Sequence, residues 1–205
     1  MFQPDLLKGK RILVTGGGTG LGLSMGRRFL ELGADLVICG RREHVLADAA
    51  AKLKAETKAT VETHGCDIRD AQAVEAMFDS IWQKRPLDAL VNNAAGNFIS
   101  RSEALSPRGV DAVLGIVLHG SAYCTLAAGR RWLAAQHRAS VLSIITSYAW
   151  TGSAYVVPSA MAKAGVLAMT RSLAVEWGGR GVRLNAIAPG PFPTPGAWER
   201  LVPRP

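Results

Sequence analysis

Arg11-Ile12-Leu13-Val14-Thr15-Gly16-Gly17-Gly18-Thr19-Gly20-Leu21-Gly22 is the stretch that decides the fold. Its first five residues form an apolar run that reads as a strand, and the glycines that follow break it. A helix is then expected from Gly20 to Leu32. Gly16 permits a tight turn, while Gly20 and Gly22 let backbone come close to a pyrophosphate and to the neighbouring strand. The helix start presents free N–H groups and the positive end of its dipole to an anion. Thr15, Gly16, Gly18, Thr19, Gly20, Leu21 and Gly22 are therefore candidate cofactor-binding residues.

Outward from this turn, strand and helix patterns alternate. Strands are predicted over Asp35–Cys39, Thr60–Cys66, Leu87–Asn92, Ser140–Thr146 and Val182–Ile187. Helices are predicted over Glu43–Glu56, Asp70–Lys84, Pro107–Gln136 and Ala154–Trp177. Such alternation implies an α/β fold, a Rossmann-type doubly wound parallel sheet of at least six strands, in a single domain over residues 1–205.

The end of the second strand bears on cofactor choice. An acidic residue there accepts a hydrogen bond from a ribose 2′-hydroxyl, whereas arginine pairs with a 2′-phosphate. The sequence is Cys39-Gly40-Arg41-Arg42, with no carboxylate before Glu43. Arg41 and Arg42 point to NADP(H); the alternative is two solvated arginines opening a helix. Asp67, with Ile68 beside it just past the third strand, is placed to accept from an adenine amino group or to cap a turn.

Composition supports this reading. The chain has 205 residues, 48% hydrophobic and only 6% aromatic, with 22 glycines, a profile suited to an α/β sheet and not to disorder. The formal charge of +8 comes from scattered pairs, Arg27–Arg28, Arg41–Arg42 and Arg130–Arg131, without interleaved aromatics. Attraction for a polyphosphate and an anionic substrate is one reading and a solvated basic surface the other; nucleic acid is not expected as a partner. No apolar run is read as membrane-spanning, and the first ten residues carry no signal or transit pattern. Cys39, Cys66 and Cys124 have no metal-like spacing and read as buried thiols in a reducing, cytoplasmic setting.

Together these residues resemble the short-chain dehydrogenase/reductase family. The matching elements are the glycine turn, Asn92-Asn93-Ala94-Ala95-Gly96 after the fourth strand, Lys163 in the late helix, and Pro189-Gly190 after the sixth strand. The resemblance implies that Asn93, Ala94, Ala95, Gly96, Lys163, Pro189, Gly190 and Thr194 also line the cofactor, Thr194 at its nicotinamide carboxamide. Within the family, Asn93 to Ser100 and Val156 to Gly165 are most similar to 2,4-dienoyl-CoA reductases. Those enzymes use NADPH to reduce a conjugated dienoyl thioester to a 3-enoyl-CoA during unsaturated fatty acid β-oxidation. An acyl-CoA substrate and a homotetramer in the full-length protein are implied with it.

One absence fits the narrower resemblance. Most family members carry a tyrosine four residues before the lysine, and here that position is Ser159. A serine is far too weak an acid to replace a phenol. The usual upstream serine is Thr146, and the tyrosine that dienoyl-CoA reductases use matches Tyr148. The implied roles are Tyr148 as donor to the thioester oxygen, Lys163 as holder of the nicotinamide ribose, and Ser159 as polar support. His119 stands where the resemblance expects a helix asparagine. A neutral imidazole can donate one hydrogen bond; the alternative is a histidine packed at a helix bend beside Gly120. Two other functions stay open: a carbonyl or enone reductase with Tyr155 as acid, and a cofactor-binding scaffold without catalysis. Relatives of this kind continue past Pro205, so the chain is expected to be C-terminally incomplete, without a final strand and a substrate-covering lid.

Overall fold

The computed structural model describes residues 2–190 together with Phe192. Six strands form one parallel sheet: β1 (Arg11–Thr15), β2 (Asp35–Gly40), β3 (Val61–Gly65), β4 (Ala89–Asn92), β5 (Ala139–Ile144) and β6 (Val182–Ile187). Their order is β3-β2-β1-β4-β5-β6, so the chain reverses direction across the sheet between β1 and β4. That reversal opens a crevice at the carboxyl ends of the strands, where ligands of such sheets bind. The expected α/β architecture is present.

Alternate side chains of each strand go to opposite faces. Ile12, Val14, Leu36 and Ile38 pack with Leu46 and Leu53 of α2 (Glu43–Thr57) and Leu30 of α1 (Gly20–Glu31). Leu13, Val37, Leu90 and Val141 pack with Phe78 and Ile81 of α3 (Ala71–Lys84) and Trp132 of α5 (Gly120–Ala134). Both faces are covered, which is why these strands are almost continuously apolar. Asp70, outside α3, caps it by accepting from the backbone N–H groups of Gln72 and Ala73. Cys39, Cys66 and Cys124 are free and buried, as expected.

Several expected boundaries move. The helix expected over Pro107–Gln136 is interrupted. It comprises α4 (Pro107–Leu114), a π-helical turn over Gly115–His119, and α5. Directly after that turn comes Gly120, where a Cβ would stand 2.6 Å from the Ile68 side chain. Only a bare backbone fits there. The helix expected from Ala154 starts later: α6 (Tyr148–Thr151) is a separate turn, and α7 runs Val157–Gly178 with Pro158 in its first turn. Proline lacks the N–H that an interior helical position would use, so it suits a helix start. Leu87 and Cys66 are buried but fall outside the strands assigned to them. The reading that no apolar stretch has membrane-spanning length also needs correction. Pro107–Ala134 passes by length and composition, although half of its most apolar window is buried in the fold.

Candidate active site

The glycine turn forms as the sequence predicts. Gly16 takes φ +65° and Gly20 φ +54°, left-handed conformations that favour glycine. A Cβ on Gly22 would lie 2.4 Å from the Gly16 carbonyl oxygen and 2.6 Å from the Asn93 amide, so no side chain fits between α1 and the turn. Gly18 faces the first turn of α2, with Val45 Cγ1 3.1 Å from where its Cβ would be. Thr19 and Gly20 are exposed at the start of α1, whose first turn holds no acidic residue. The residues present therefore fit a dinucleotide pyrophosphate: a bare-backbone cradle that opens on a helix start without negative charge.

Thr15 and Asn93 brace this cradle from behind. The buried Thr15 hydroxyl accepts from the backbone N–H groups of Asn93 and Ala94, both at 3.0 Å. The Asn93 amide donates to the Thr15 and Gly16 carbonyls at 2.9 and 3.3 Å. The Thr15 hydroxyl and the Asn93 NH₂ are thus spent on the protein and hold the turn. Ala94 and Gly96 are half-buried and Ala95 exposed at the carboxyl end of β4; Pro189 and Gly190 follow β6. Thr194 lies outside the described residues.

At the adenosine end, the three arginine pairs diverge. Arg27 and Arg28 bridge Glu56 and Glu31, while Arg130 and Arg131 engage Glu75, and Arg131 also Asp79. Arg41 and Arg42 are exposed at the end of β2 with no ion pair among the described residues. Asp67 fills the turn-cap reading. It accepts from the Arg69 backbone N–H at 3.1 Å and from the Arg69 guanidinium on both carboxyl oxygens. That guanidinium holds the Asp67 carboxyl below its ordinary range, against the opposing effect of burial. The Ile68 side chain belongs to the core, packed on Gly120, so only its backbone can reach a cofactor.

At the end of β5 the structure brings three of the predicted catalytic residues together. The Tyr148 hydroxyl, on α6, lies 3.0 Å from the Ser159 hydroxyl on the first turn of α7. Ser159 is 2% exposed and Lys163, one turn further on, 7%. The Lys163 ammonium donates to the Ile144 carbonyl, and burial lowers its pKa to about 8. Nearby in sequence, the Thr146 hydroxyl is buried without a hydrogen-bond partner among the described residues. An orphaned buried hydroxyl carries a cost that a ligand can relieve. His119 is exposed at the last position of the π turn, its ring centroid 6.2 Å from that of Tyr123. No hydrogen bond joins it to Tyr148, Ser159 or Lys163. Tyr155, 54% exposed at φ +66°, uses its backbone carbonyl to accept from Ser100 N–H at 3.0 Å.

Two residues here carried no role in the sequence reading. The Asn97 side-chain oxygen accepts from Phe98 N–H at 2.9 Å, which leaves its NH₂ unpartnered among the described residues. Its place beside Gly96, in the turn after β4, was the available signal. Glu43 was noted only as the first carboxylate after the arginines; in the fold it lies against Gly65 at the end of β3.

A glycine cradle at the switch point and a buried lysine on the helix after β5 match a known family. The family profile for short chain dehydrogenases covers residues 10–202. The chain belongs to the short chain dehydrogenase family. Among relatives, an uncharacterised oxidoreductase of Caenorhabditis elegans is 48% identical over 98% of this chain and 64% of its own length. A probable 2,4-dienoyl-CoA reductase of the same worm, described as (3E)-enoyl-CoA-producing, is 46% identical over 98% of this chain and 66% of its own. The chain thus spans just under two thirds of the length of these relatives. Among solved structures, a putative NAD(P)-dependent gluconate 5-dehydrogenase from Beutenbergia cavernae with bound NADP superposes with a TM-score of 0.89. It is 28% identical and covers 96% of this chain and 78% of that one. Short chain dehydrogenases use NAD(P) cofactors, and the cradle is the part of this chain that fits one.

Proposed function

We propose that this short chain dehydrogenase reduces 2,4-dienoyl-CoA thioesters to enoyl-CoA with NADPH. The observation that carries the reading is the half-buried Tyr148 hydroxyl hydrogen-bonded to the buried Ser159, one turn before the buried Lys163, with serine in place of the usual tyrosine four residues before the lysine. Likeness to relatives described as dienoyl-CoA reductases supports the substrate class. The free arginine pair supports NADPH over NADH.

Bound NADPH would supply the hydride, delivered to the distal carbon of the diene. Negative charge then builds on the thioester oxygen, conjugated through the remaining double bond. Tyr148 donates a hydrogen bond to that oxygen, and the bond strengthens as the charge develops. Ser159 orients the phenol. Protonated Lys163 holds the nicotinamide ribose and adds a positive potential. His119 is proposed as second donor, and the unspent Asn97 amide also presents donor N–H groups at the end of β4. A proton from water at the carbon next to the thioester completes a 3-enoyl product. The same proposal places the enzyme in fatty acid β-oxidation. It also places it in a reducing cytoplasm, supported by three free thiols. A homotetramer belongs to it too, supported by apolar side chains exposed on α5 and α7, Leu126, Met161 and Val175 among them.

The test is NADPH oxidation with a 2,4-dienoyl-CoA. Tyr148→Phe is expected to lower kcat on the order of a hundredfold with a smaller change in KM, as for loss of one oxyanion donor. Tyr155→Phe is expected to be near normal. The reverse pattern, a crippled Tyr155 variant beside a normal Tyr148 variant, overturns the assignment. His119→Asn is expected to retain activity, because either side chain donates one hydrogen bond to the oxygen.

A further inference from the structure

We propose that Glu43, seated in the Cβ-free notch of Gly65, sets how strongly this protein prefers NADPH over NADH. The inference rests on the reading that the cleft holds NADP(H), and it names a determinant of that choice.

Glu43 is the first residue of α2, directly after Arg41 and Arg42. Gly40 and Gly65 are paired in register at the carboxyl ends of β2 and β3, and Cys66 N–H donates to the Gly40 carbonyl at 2.9 Å. A Cβ on Gly65 would stand 2.4 Å from Glu43 Oε1, 2.7 Å from its Cγ and 2.9 Å from its Cδ. The glutamate side chain therefore occupies the space that any other residue at position 65 would fill. This seat lies at the carboxyl ends of β2 and β3, on the same end of the sheet as the β1/β4 crevice. The first turn of α2 borders the cradle itself, since Val45 and Leu46 stand against Gly18.

The charges around this point are mixed. Arg41, Arg42 and Arg69 are positive, and Glu43 and Asp67 negative. Asp67 is taken up by Arg69 and also feels Arg41, whereas Glu43 has no cationic partner among the described residues. A 2′-phosphate drawn in by Arg41 and Arg42 meets this unneutralised carboxylate; a 2′-hydroxyl does not suffer the repulsion and can donate to an acceptor. Glu43 thus opposes the two arginines and narrows the gap between the cofactors. A carboxylate at a helix start also favours α2 through the helix dipole, but that role acts on both cofactors alike.

The experiment is titration of the apoprotein with NADPH and with NADH, by nicotinamide fluorescence, for wild type, Glu43→Gln and Gly65→Ala. Glu43→Gln keeps the side chain's shape and removes its charge. It is expected to tighten NADPH about three- to tenfold and to leave NADH within about twofold. Gly65→Ala keeps the charge but displaces it, and should move the ratio in the same direction. Both gains should shrink in about 1 M salt, where the screening length falls to roughly 3 Å. An unchanged or lowered NADPH-to-NADH ratio in Glu43→Gln overturns the proposal, even if Gly65→Ala fails to fold. Wild-type protein that binds no NADPH overturns both this proposal and the cofactor reading beneath it, and is distinguished by the first titration alone.

Discussion

Lys163 is the residue whose surroundings do most to set pH behaviour. Burial works against its charge, so it loses its proton near pH 8 instead of near 10.5. Between those values the unfolded chain binds the proton and the folded chain does not, so this group makes stability rise with pH across that window. Below pH 8 both states are protonated and the folded state bears the full cost of a buried ammonium, partly offset by the hydrogen bond to Ile144. Lys163→Met is therefore expected to stabilise the fold at pH 7 by up to roughly 3 kcal/mol. The gain should shrink toward pH 10, and activity should be lost at every pH. Urea unfolding at pH 7 and pH 10 checks the first part; a variant less stable than wild type at pH 7 refutes it. In the wild type, turnover should fall as pH passes about 8, because the neutral amine no longer adds a positive potential beside the developing oxyanion. Tyr148, Ser159 and Lys163 were legible in sequence only through the resemblance to dienoyl-CoA reductases, whose motif positions they match; that the Tyr148 and Ser159 hydroxyls meet at 3.0 Å comes from the fold. The grip of Arg69 on Asp67 was not, because nothing in the order Asp-Ile-Arg says which partner a flexible guanidinium takes.

Packing between elements explains which expected boundaries held. β1 and α1 are fixed by an apolar run and a glycine turn, both local signals, and they form where the sequence places them. The stretch from Pro107 to Gln136 keeps a helical apolar pattern throughout, so periodicity alone cannot reveal the π turn. Nor does it announce the distant contact beside that turn, Gly120 against Ile68. The same kind of contact joins α5 to α7, where a Cβ on Gly129 would stand 2.4 Å from the Trp177 ring. Glycine to alanine in a helix interior ordinarily gains about 1 kcal/mol. Overpacking against a buried ring costs about 1–3 kcal/mol. Gly129→Ala should therefore lower Tm despite the better helix former, and Gly129→Ala with Trp177→Leu should recover part of the loss. A single variant with raised Tm would show that α5 and α7 separate at little cost. Arg11 makes a further tie that sequence could not announce. Buried at the head of β1, it donates to the Ile81 carbonyl at 2.8 Å and pairs with Glu62 at 2.7 Å, which binds the end of α3 to an edge strand.

Across the whole molecule, stability and cofactor binding are one equilibrium. The cradle, the Thr15–Asn93 brace and the exposed arginines come from β1, α1, β2 and β4, elements that meet only in the folded chain. Whatever binds there stabilises the native state by mass action. At a concentration one hundred times its dissociation constant, NADPH should add about 2.7 kcal/mol. For a domain of this size that is a rise in Tm of about 5–10 °C. A charge-assisted contact from Arg41 or Arg42 to the 2′-phosphate is worth roughly 1.5–3 kcal/mol, so NADH should bind on the order of ten- to a hundredfold more weakly. At the same concentration NADH should then raise Tm by about half as much or less. Replacing both arginines with alanine should remove the difference while leaving the melting point without cofactor nearly unchanged, because neither makes an ion pair among the described residues. Raising the salt should compress the NADPH shift more than the NADH shift, since only the phosphate contact depends on exposed charges. Equal shifts for the two cofactors in the wild type, or a double variant that still separates them, would remove the arginines from cofactor choice and leave the glycine cradle as the common binding element.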